Sequence, residues 1–123
     1  MRVEIERQND VGILRLTGRF LTGVDEEYLR GKAREVREKN FTKVIADFRE
    51  VPYLDSTGIG FIVGLYSSIT KAENGRFVLM GVNRRVRDAL DVTRLSRIIP
   101  SAPDMESALA AVGGASGAAS AST

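Results

Sequence analysis

Ser56 has the most distinctive chemical setting in this sequence, because its hydroxyl follows Asp55 and opens a glycine-rich segment, STGIG. The segment begins a helix that the pattern predicts over 57–73. Ser56 is a suitable N-cap for it, since its oxygen can accept from the free N–H groups of the first turn. Those N–H groups and the positive end of the helix dipole also favour an anion. A phosphate on Ser56 would add about −1.5 to −2 charges beside Asp55. The sequence therefore makes Ser56 a candidate phosphorylation site.

The predicted helix has an unusual distribution of glycine. At about 100° per residue, the side expected to face the core carries Ile59, Ile62, Val63, Tyr66 and Ile69. The opposite side carries only small residues, which are Thr57, Gly60, Gly64, Ser67 and Ser68. Each glycine costs roughly 0.5–1 kcal/mol relative to alanine inside a helix, so this side indicates a surface that another backbone approaches closely. An ordinary helix start, with glycines that serve internal packing, is the alternative interpretation.

We predict a partner-binding surface around this helix start, with Phe61 and Leu65 at its flanks. Its predicted residues are Asp55, Ser56, Thr57, Gly58, Gly60, Phe61, Gly64 and Leu65.

The composition disfavours an enzyme. The chain has no cysteine and no histidine, which excludes disulfides, thiolate metal sites and the Ser-His-Asp, Cys-His and zinc-hydrolase types of catalysis. The pairs Glu26-Glu27 and Asp88/Asp91 are interpreted as helix-surface charge, and no G-x-x-x-x-G-K-[ST] phosphate loop is present. We predict no catalytic residue, no metal site and no cofactor. A small hydrolase or nucleotide-binding enzyme remains only as a disfavoured alternative.

Charge and hydropathy predict a cytoplasmic protein that binds neither nucleic acid nor membrane. The net charge is +2, from 18 basic and 16 acidic residues. The arginines of 84–97 lack interleaved aromatic residues and are better explained as a solvated helix face than as a nucleic-acid patch. The N-terminus alternates charge without the apolar stretch of a signal peptide, and no apolar run approaches the length of a membrane span.

Hydrophobic periodicity predicts an α/β domain over residues 1–112. Alternating residues predict strands at 3–6 and 11–17, short apolar runs predict strands at 44–48 and 77–82, and Ile98-Ile99 is a possible edge strand. Amphipathic patterns predict helices at 25–39 and 57–73, a third after an Asn83 cap, and a fourth after a capping box at 101–104. The order implies a mixed sheet of four or five strands with about four helices. The Gly/Ala/Ser tail, 113–123, is expected to be disordered.

The sequence resembles the bacterial anti-sigma factor antagonists, which are single STAS domains. The segment DSTGIG, which begins at Asp55, is similar to the family signature D-S-[ST]-G-[LIV]-G. The stretch from Leu14 to Gly18 is similar to the second strand of the family and its closing glycine. Asn74-Gly75 before Phe77 and the segment ALDVT at 89–93 also resemble family motifs, so that the likeness covers residues 3–112.

The resemblance implies a STAS fold and a switch in which Ser56 is the phosphoacceptor. The unphosphorylated protein would bind an anti-sigma factor that has serine kinase activity, and sigma would be released. Phosphorylation by that kinase would end the binding, and a serine phosphatase would reset the protein. A second role for the same fold is a scaffold or regulatory subunit of a transport or signalling complex, in which Ser56 is not phosphorylated.

Two positions depart from the family pattern. Arg19 and Leu21 stand where the family usually has acidic residues, which predicts an altered partner contact. One hypothesis from this alignment is that Arg19 pairs with a phosphate on Ser56. Arg94 stands where glycine is usual, which suggests a different turn after the third helix.

Overall fold

The computed structural model describes residues 1–19 and 23–113, which form one mixed sheet of five strands with four α-helices. The bounds of these elements, in chain order, are β1 Arg2–Gln8, β2 Val11–Thr17, α1 Glu26–Glu38, β3 Lys43–Glu50, α2 Ser56–Thr70, β4 Arg76–Met80, α3 Arg84–Val92, β5 Ser101–Ala102 and α4 Met105–Val112. The predicted fold class is confirmed. Leu21 and the predicted tail, apart from Gly113, lie outside the described residues.

The sheet has the strand order β1-β2-β3-β4-β5. β1 and β2 form an antiparallel hairpin, whose turn places Asn9 in the left-handed region at φ 57°. The other neighbours pair in parallel, so each connection from β2 onward crosses over through a helix. Because α1 and α2 each follow a parallel strand, both begin at the carboxyl end of the sheet and run in the same direction.

Both faces of the central strands are buried. Leu14 and Leu16 of β2 join the larger core, which α1, α2 and α3 cover. Val11 and Ile13 of the same strand face the other way, into a smaller core beneath α4. This alternation follows from the period of two residues in a strand, and a buried side chain of this size contributes roughly 1.5–3 kcal/mol. The two cores fix the sheet against which α2 is held.

The predicted edge strand at Ile98-Ile99 is wrong. A 3₁₀ turn at Leu95–Arg97 precedes these residues, Ile98 is exposed, and Ile99 enters the larger core. The ladder next to β4 is formed instead by β5, which aligns Ser101 with Leu79. Burial of the Ile99 side chain therefore took precedence over the strand preference of two β-branched residues.

The predicted capping box at 101–104 is also wrong. Ser101 belongs to β5, and the N-cap of α4 is Asp104, whose Oδ1 accepts from the backbone N–H of Ser107 at 2.8 Å. The predicted cap of α3 is confirmed, because Oδ1 of Asn83 accepts from the backbone N–H of Val86 at 2.8 Å.

The turn after α3 keeps the backbone that glycine would give. Arg94 lies in the left-handed region at φ 64° and ψ 12°, which glycine adopts readily, and a turn different from that of the family stays a prediction. An arginine holds this conformation at a cost of about 1–2 kcal/mol because its Cβ crowds the following carbonyl.

α2 ends earlier than predicted, at Thr70, and Gly75 lies in the turn that follows. A Cβ on Gly75 would overlap the carbonyl of Ile69. The chain must therefore leave the helix before this close approach, and only glycine fits there.

Candidate functional site

Asp55, and not Ser56, is the N-cap of α2. The Asp55 backbone is extended, and its Oδ1 accepts from the backbone N–H of Gly58 at 3.0 Å. Ser56 is the first residue of the helix and is exposed. The prediction of Ser56 as the cap is therefore wrong by one position, since Asp and Ser are both good caps and stand side by side. As a result, the Ser56 hydroxyl is not required for helix formation.

The core face of α2 is rotated relative to the predicted one. Phe61 is 8% exposed and Leu65 is 1% exposed, whereas Val63, predicted to face the core, is 36% exposed. Phe61 and Leu65 thus belong to the larger core. Leu65 was wrongly placed at the flank of an exposed surface, whereas Phe61, although mostly buried, lines the groove beside α2. α2 has apolar residues on more than one side, so sequence periodicity alone does not fix which of them faces the sheet.

Five of the predicted surface residues line one groove between α1 and α2. The groove has a volume of about 380 Å³, and its α2 side is formed by Ser56, Thr57, Gly60, Phe61 and Gly64, with Phe61 among them as a mostly buried side chain. A Cβ built on Gly60 or Gly64 would meet no heavy atom within 4 Å. These glycines therefore do not serve contact with α1. Gly58 is buried, and Leu65 does not line the groove.

The α1 side of the groove carries charge that sequence reasoning missed. It is formed by Glu26, Leu29, Arg30, Ala33 and Arg37. Arg30 and Arg37 are exposed, and Arg34 is exposed between them. α2 contains no charged residue. The spacing of Arg30, Arg34 and Arg37, by four and then three residues, is the sequence signal that could have identified one basic side of α1.

The loop before α2 is fixed by aromatic and polar contacts. The guanidinium carbons of Arg19 and Arg85 lie 5.8 Å and 5.4 Å from the centre of the Tyr53 ring. Nδ2 of Asn83 donates to the carbonyl oxygens of Val51 and Pro52, at 3.2 Å and 3.0 Å. The start of α3 is thus tied to the segment that presents Ser56. Arg19 pairing with a phosphate stays a hypothesis.

Asp47, near the end of β3, is a buried carboxylate held by two arginines. Its oxygens accept from Nε and Nη2 of Arg49 at 3.0 Å and 2.8 Å, and from Nη1 of Arg15 at 3.3 Å. Burial acts to raise the pKa of Asp47, but the Arg49 side chain and backbone N–H, together with Arg15, outweigh it and lower the pKa below its ordinary value. Asp47 is therefore ionised at neutral pH and anchors the strand end that leads to the Ser56 loop.

The described part of the chain has neither a cluster of metal-ligating side chains nor a membrane-spanning helix. Residues 1–19 and 23–113 hold no group of three or more Asp, Glu, His or Cys side chains that could bind a metal ion. No helix in these same ranges is long and apolar enough to cross a membrane.

The mixed sheet, three helices on one face and an exposed serine at the start of α2 define a STAS-type domain. A family model for the STAS domain matches residues 2–108. The chain is also similar to the anti-sigma-B factor antagonist of Listeria monocytogenes, with 33% identity over 84 residues that cover 65% of this chain and 73% of the relative. The chain belongs to the STAS domain family, among the anti-sigma factor antagonists.

Solved structures agree with the fold. The anti-sigma factor antagonist SpoIIAA in its unphosphorylated form matches with a TM-score of 0.73 and 20% identity, over 91% of this chain and 97% of that one. The phosphorylated form of SpoIIAA, a cell fate determinant of Bacillus, matches with a TM-score of 0.65 and 22% identity, over 86% and 96%. A sulfate transporter family protein from Wolinella succinogenes matches with a TM-score of 0.69 and 26% identity, over 84% of each chain.

Proposed function

We propose that this protein is an anti-sigma factor antagonist of the cytoplasm that binds an anti-sigma factor with serine kinase activity, and that phosphorylation of Ser56 ends the binding. The observation that carries the proposal is the exposed Ser56 hydroxyl at the end of the groove between α1 and α2. In this role the protein is a ligand and a phosphorylation substrate, and catalysis belongs to its partners. A serine phosphatase would restore the unphosphorylated state.

The position of Ser56 suits a switch that changes charge without changing the fold. Asp55 already caps α2, so modification of Ser56 leaves the cap hydrogen bond in place. A phosphate would add about −1.5 to −2 charges next to Asp55 and in the same groove as Glu26. A partner fitted to the unmodified groove would then meet added bulk and a concentrated negative charge that its surface is not shaped or charged to accommodate. Both effects disfavour the complex.

The test is phosphorylation of the purified protein. The native chain and the Ser56→Ala variant are incubated with ATP and an extract of the cells that produce the protein, and each is then measured by intact mass spectrometry. We expect one added phosphate on the native chain and none on Ser56→Ala. Ser67→Ala, which removes another exposed serine of α2, is the matched control and should be phosphorylated like the native chain. Phosphate that persists in Ser56→Ala would exclude Ser56 as the acceptor.

A second candidate function is a scaffold or regulatory subunit in a transport or signalling complex. The similarity to a sulfate transporter family protein favours it, because the STAS fold also occurs in that setting. The phosphorylation experiment described above also distinguishes the scaffold from the switch. A native chain that gains no phosphate, while remaining folded, supports the scaffold and contradicts the switch.

A further inference from the structure

The groove between α1 and α2 has arginines on its α1 side and an uncharged surface on its α2 side. We infer that it receives an acidic helical segment of the partner, with carboxylates that contact Arg30, Arg34 and Arg37. This inference rests on the proposed function, since it names the chemistry of the partner at the same site.

None of the three arginines forms an ion pair within the part of the chain that the structure describes, although Glu26, Glu27 and Glu38 lie one turn away on α1. No hydrogen bond or ion pair joins any of their guanidinium groups to residues 1–19 or 23–113, and the nearby Glu35 is paired with Lys32 at 3.5 Å. Like charges spaced by three or four residues destabilise a helix by a few tenths of a kcal/mol per pair. α2 across the groove supplies no carboxylate. An anionic partner would supply the missing charge complement.

The shape of the groove suits a helix. Gly60 and Gly64 are one helical turn apart, and the space beside each is open. The groove lining also includes the half-buried Ala33 and the small exposed parts of Leu29 and Phe61, which are apolar. An amphipathic helix docks in such a groove with its apolar side inward, and the absence of side chains at the glycines permits close approach of its backbone.

The two ends of the groove differ in charge. Because α1 and α2 run in the same direction, Ser56 lies toward the start of α1, where Glu26 lines the groove, and Arg37 lies toward the other end. The partner carboxylates are therefore expected at the Arg37 end. A phosphate on Ser56 would extend the negative end and leave the arginines in place.

Two synthetic peptides test this inference without the natural partner. Both are amphipathic helices with the same apolar residues, and they carry either glutamate or lysine on the flanking positions. Each is titrated into the ¹⁵N-labelled, unphosphorylated full chain, and amide shifts are followed by NMR. We expect the glutamate peptide to shift the amides of Gly60 and Gly64, with an affinity that falls as salt is added, and the lysine peptide to shift neither.

Variants connect the shifts to the arginines. Arg30→Gln/Arg37→Gln, which changes the two arginines that line the groove, should weaken binding of the glutamate peptide about fivefold, the amount expected for two exposed ion pairs. Arg87→Gln, an arginine of α3 outside the groove, is the control and should leave the affinity unchanged. Equal shifts with both peptides, no shift at Gly60 and Gly64, or an affinity insensitive to the double variant would overturn the inference.

The outcome is separable from that of the proposed function. A chain that is never phosphorylated but binds the peptide retains the acidic-partner inference and loses the switch. A chain that is phosphorylated at Ser56 but ignores the charge of the peptide retains the switch and loses this inference.

Discussion

Asp55 and Ser56 divide between them two tasks that a single residue often combines. The Asp55 carboxylate holds the first turn of α2, and the Ser56 hydroxyl remains exposed. A serine that also capped the helix would exchange that hydrogen bond for bonds to the phosphate oxygens on modification, and the helix start would change with the signal. In the proposed switch, modification and helix stability belong to neighbouring side chains, which would keep the change local.

Stability measurements should distinguish these two residues. Asp55→Ala removes the cap and is expected to lower the free energy of unfolding by about 1 kcal/mol, whereas Ser56→Ala should change it by less than about 0.5 kcal/mol. Urea denaturation followed by circular dichroism gives both values. Asp55→Asn, which can keep the cap, is the control. A larger loss for Ser56→Ala than for Asp55→Ala would return the capping role to the serine.

Asp47 should make stability depend on acid pH. Its folded pKa is below its ordinary value of 3.8, so its contribution is present above that value and is lost as the pH falls through the folded pKa. Asp47→Asn is therefore expected to lower the free energy of unfolding at pH 7 by about 1–3 kcal/mol, through weakened bonds to Arg49 and Arg15. Once the pH has fallen below the folded pKa of Asp47, the variant and the native chain should converge.

Urea midpoints measured from pH 7 downward test this convergence. Asp104→Asn is a matched control, because Asn caps a helix as well as Asp does and should change little at pH 7. A constant difference between Asp47→Asn and the native chain at every pH would exclude the ionised carboxylate as the source of the stability.

At the scale of elements, two glycines inside α2 lower the stability of this helix relative to alanine at the same positions. Gly60→Ala and Gly64→Ala should each raise the free energy of unfolding by roughly 0.5–1 kcal/mol, because the new methyl group meets open space and the helix backbone loses less entropy. Thermal denaturation measures this gain. Gly75→Ala is the contrasting variant and should destabilise the fold, since its methyl group would overlap the Ile69 carbonyl.

The same glycine variants should impair recognition. We expect the more stable Gly60→Ala/Gly64→Ala protein to bind its partner more weakly, because the added methyl groups occupy the groove. A stabilised protein with unchanged partner affinity would show that the glycine surface is not the docking site.

Sequence patterns predicted the positions of helices and strands better than they predicted which side of each helix is buried. β2 and the Asn83 cap were located to the residue, because alternation and capping are local signals. The core face of α2 was not, because Phe61 and Val63 are both apolar and only the sheet decides which is buried. Ile98-Ile99 was mistaken for a strand for a similar reason, since the core position of Ile99 is set by residues distant in the chain.

The α2 side of the candidate site could be predicted from the sequence, whereas its α1 side could not. Ser56 and the open glycines follow from residue type and helical spacing alone. The arginines of α1 resemble any solvated helix side until the structure brings α1 beside an uncharged α2. Charge complementarity across two separate segments is a tertiary property, which a single sequence does not display.

For the whole molecule, a negative charge at position 56 should leave the architecture unchanged. Ser56→Glu is expected to give a melting temperature within a few degrees of the native chain, with amide shifts confined to the start of α2 and the adjoining groove, because position 56 is exposed and Asp55 still caps the helix. Two-dimensional NMR compares the two proteins directly. Shifts that spread into β4 or α4 would indicate a global rearrangement instead of a local switch.

The outermost strands of the sheet are poor templates for another chain. On one side, β1 carries the charged residues Arg2, Glu4, Glu6 and Arg7 on the strand that ends the sheet, and on the other, β5 spans only Ser101–Ala102. Charge and brevity both discourage strand addition from solution. An incoming protein therefore has few main-chain hydrogen bonds to form at the sheet edges. Association would depend on side chains of the helical layer, where the proposed phosphoryl group on Ser56 would alter the contact directly.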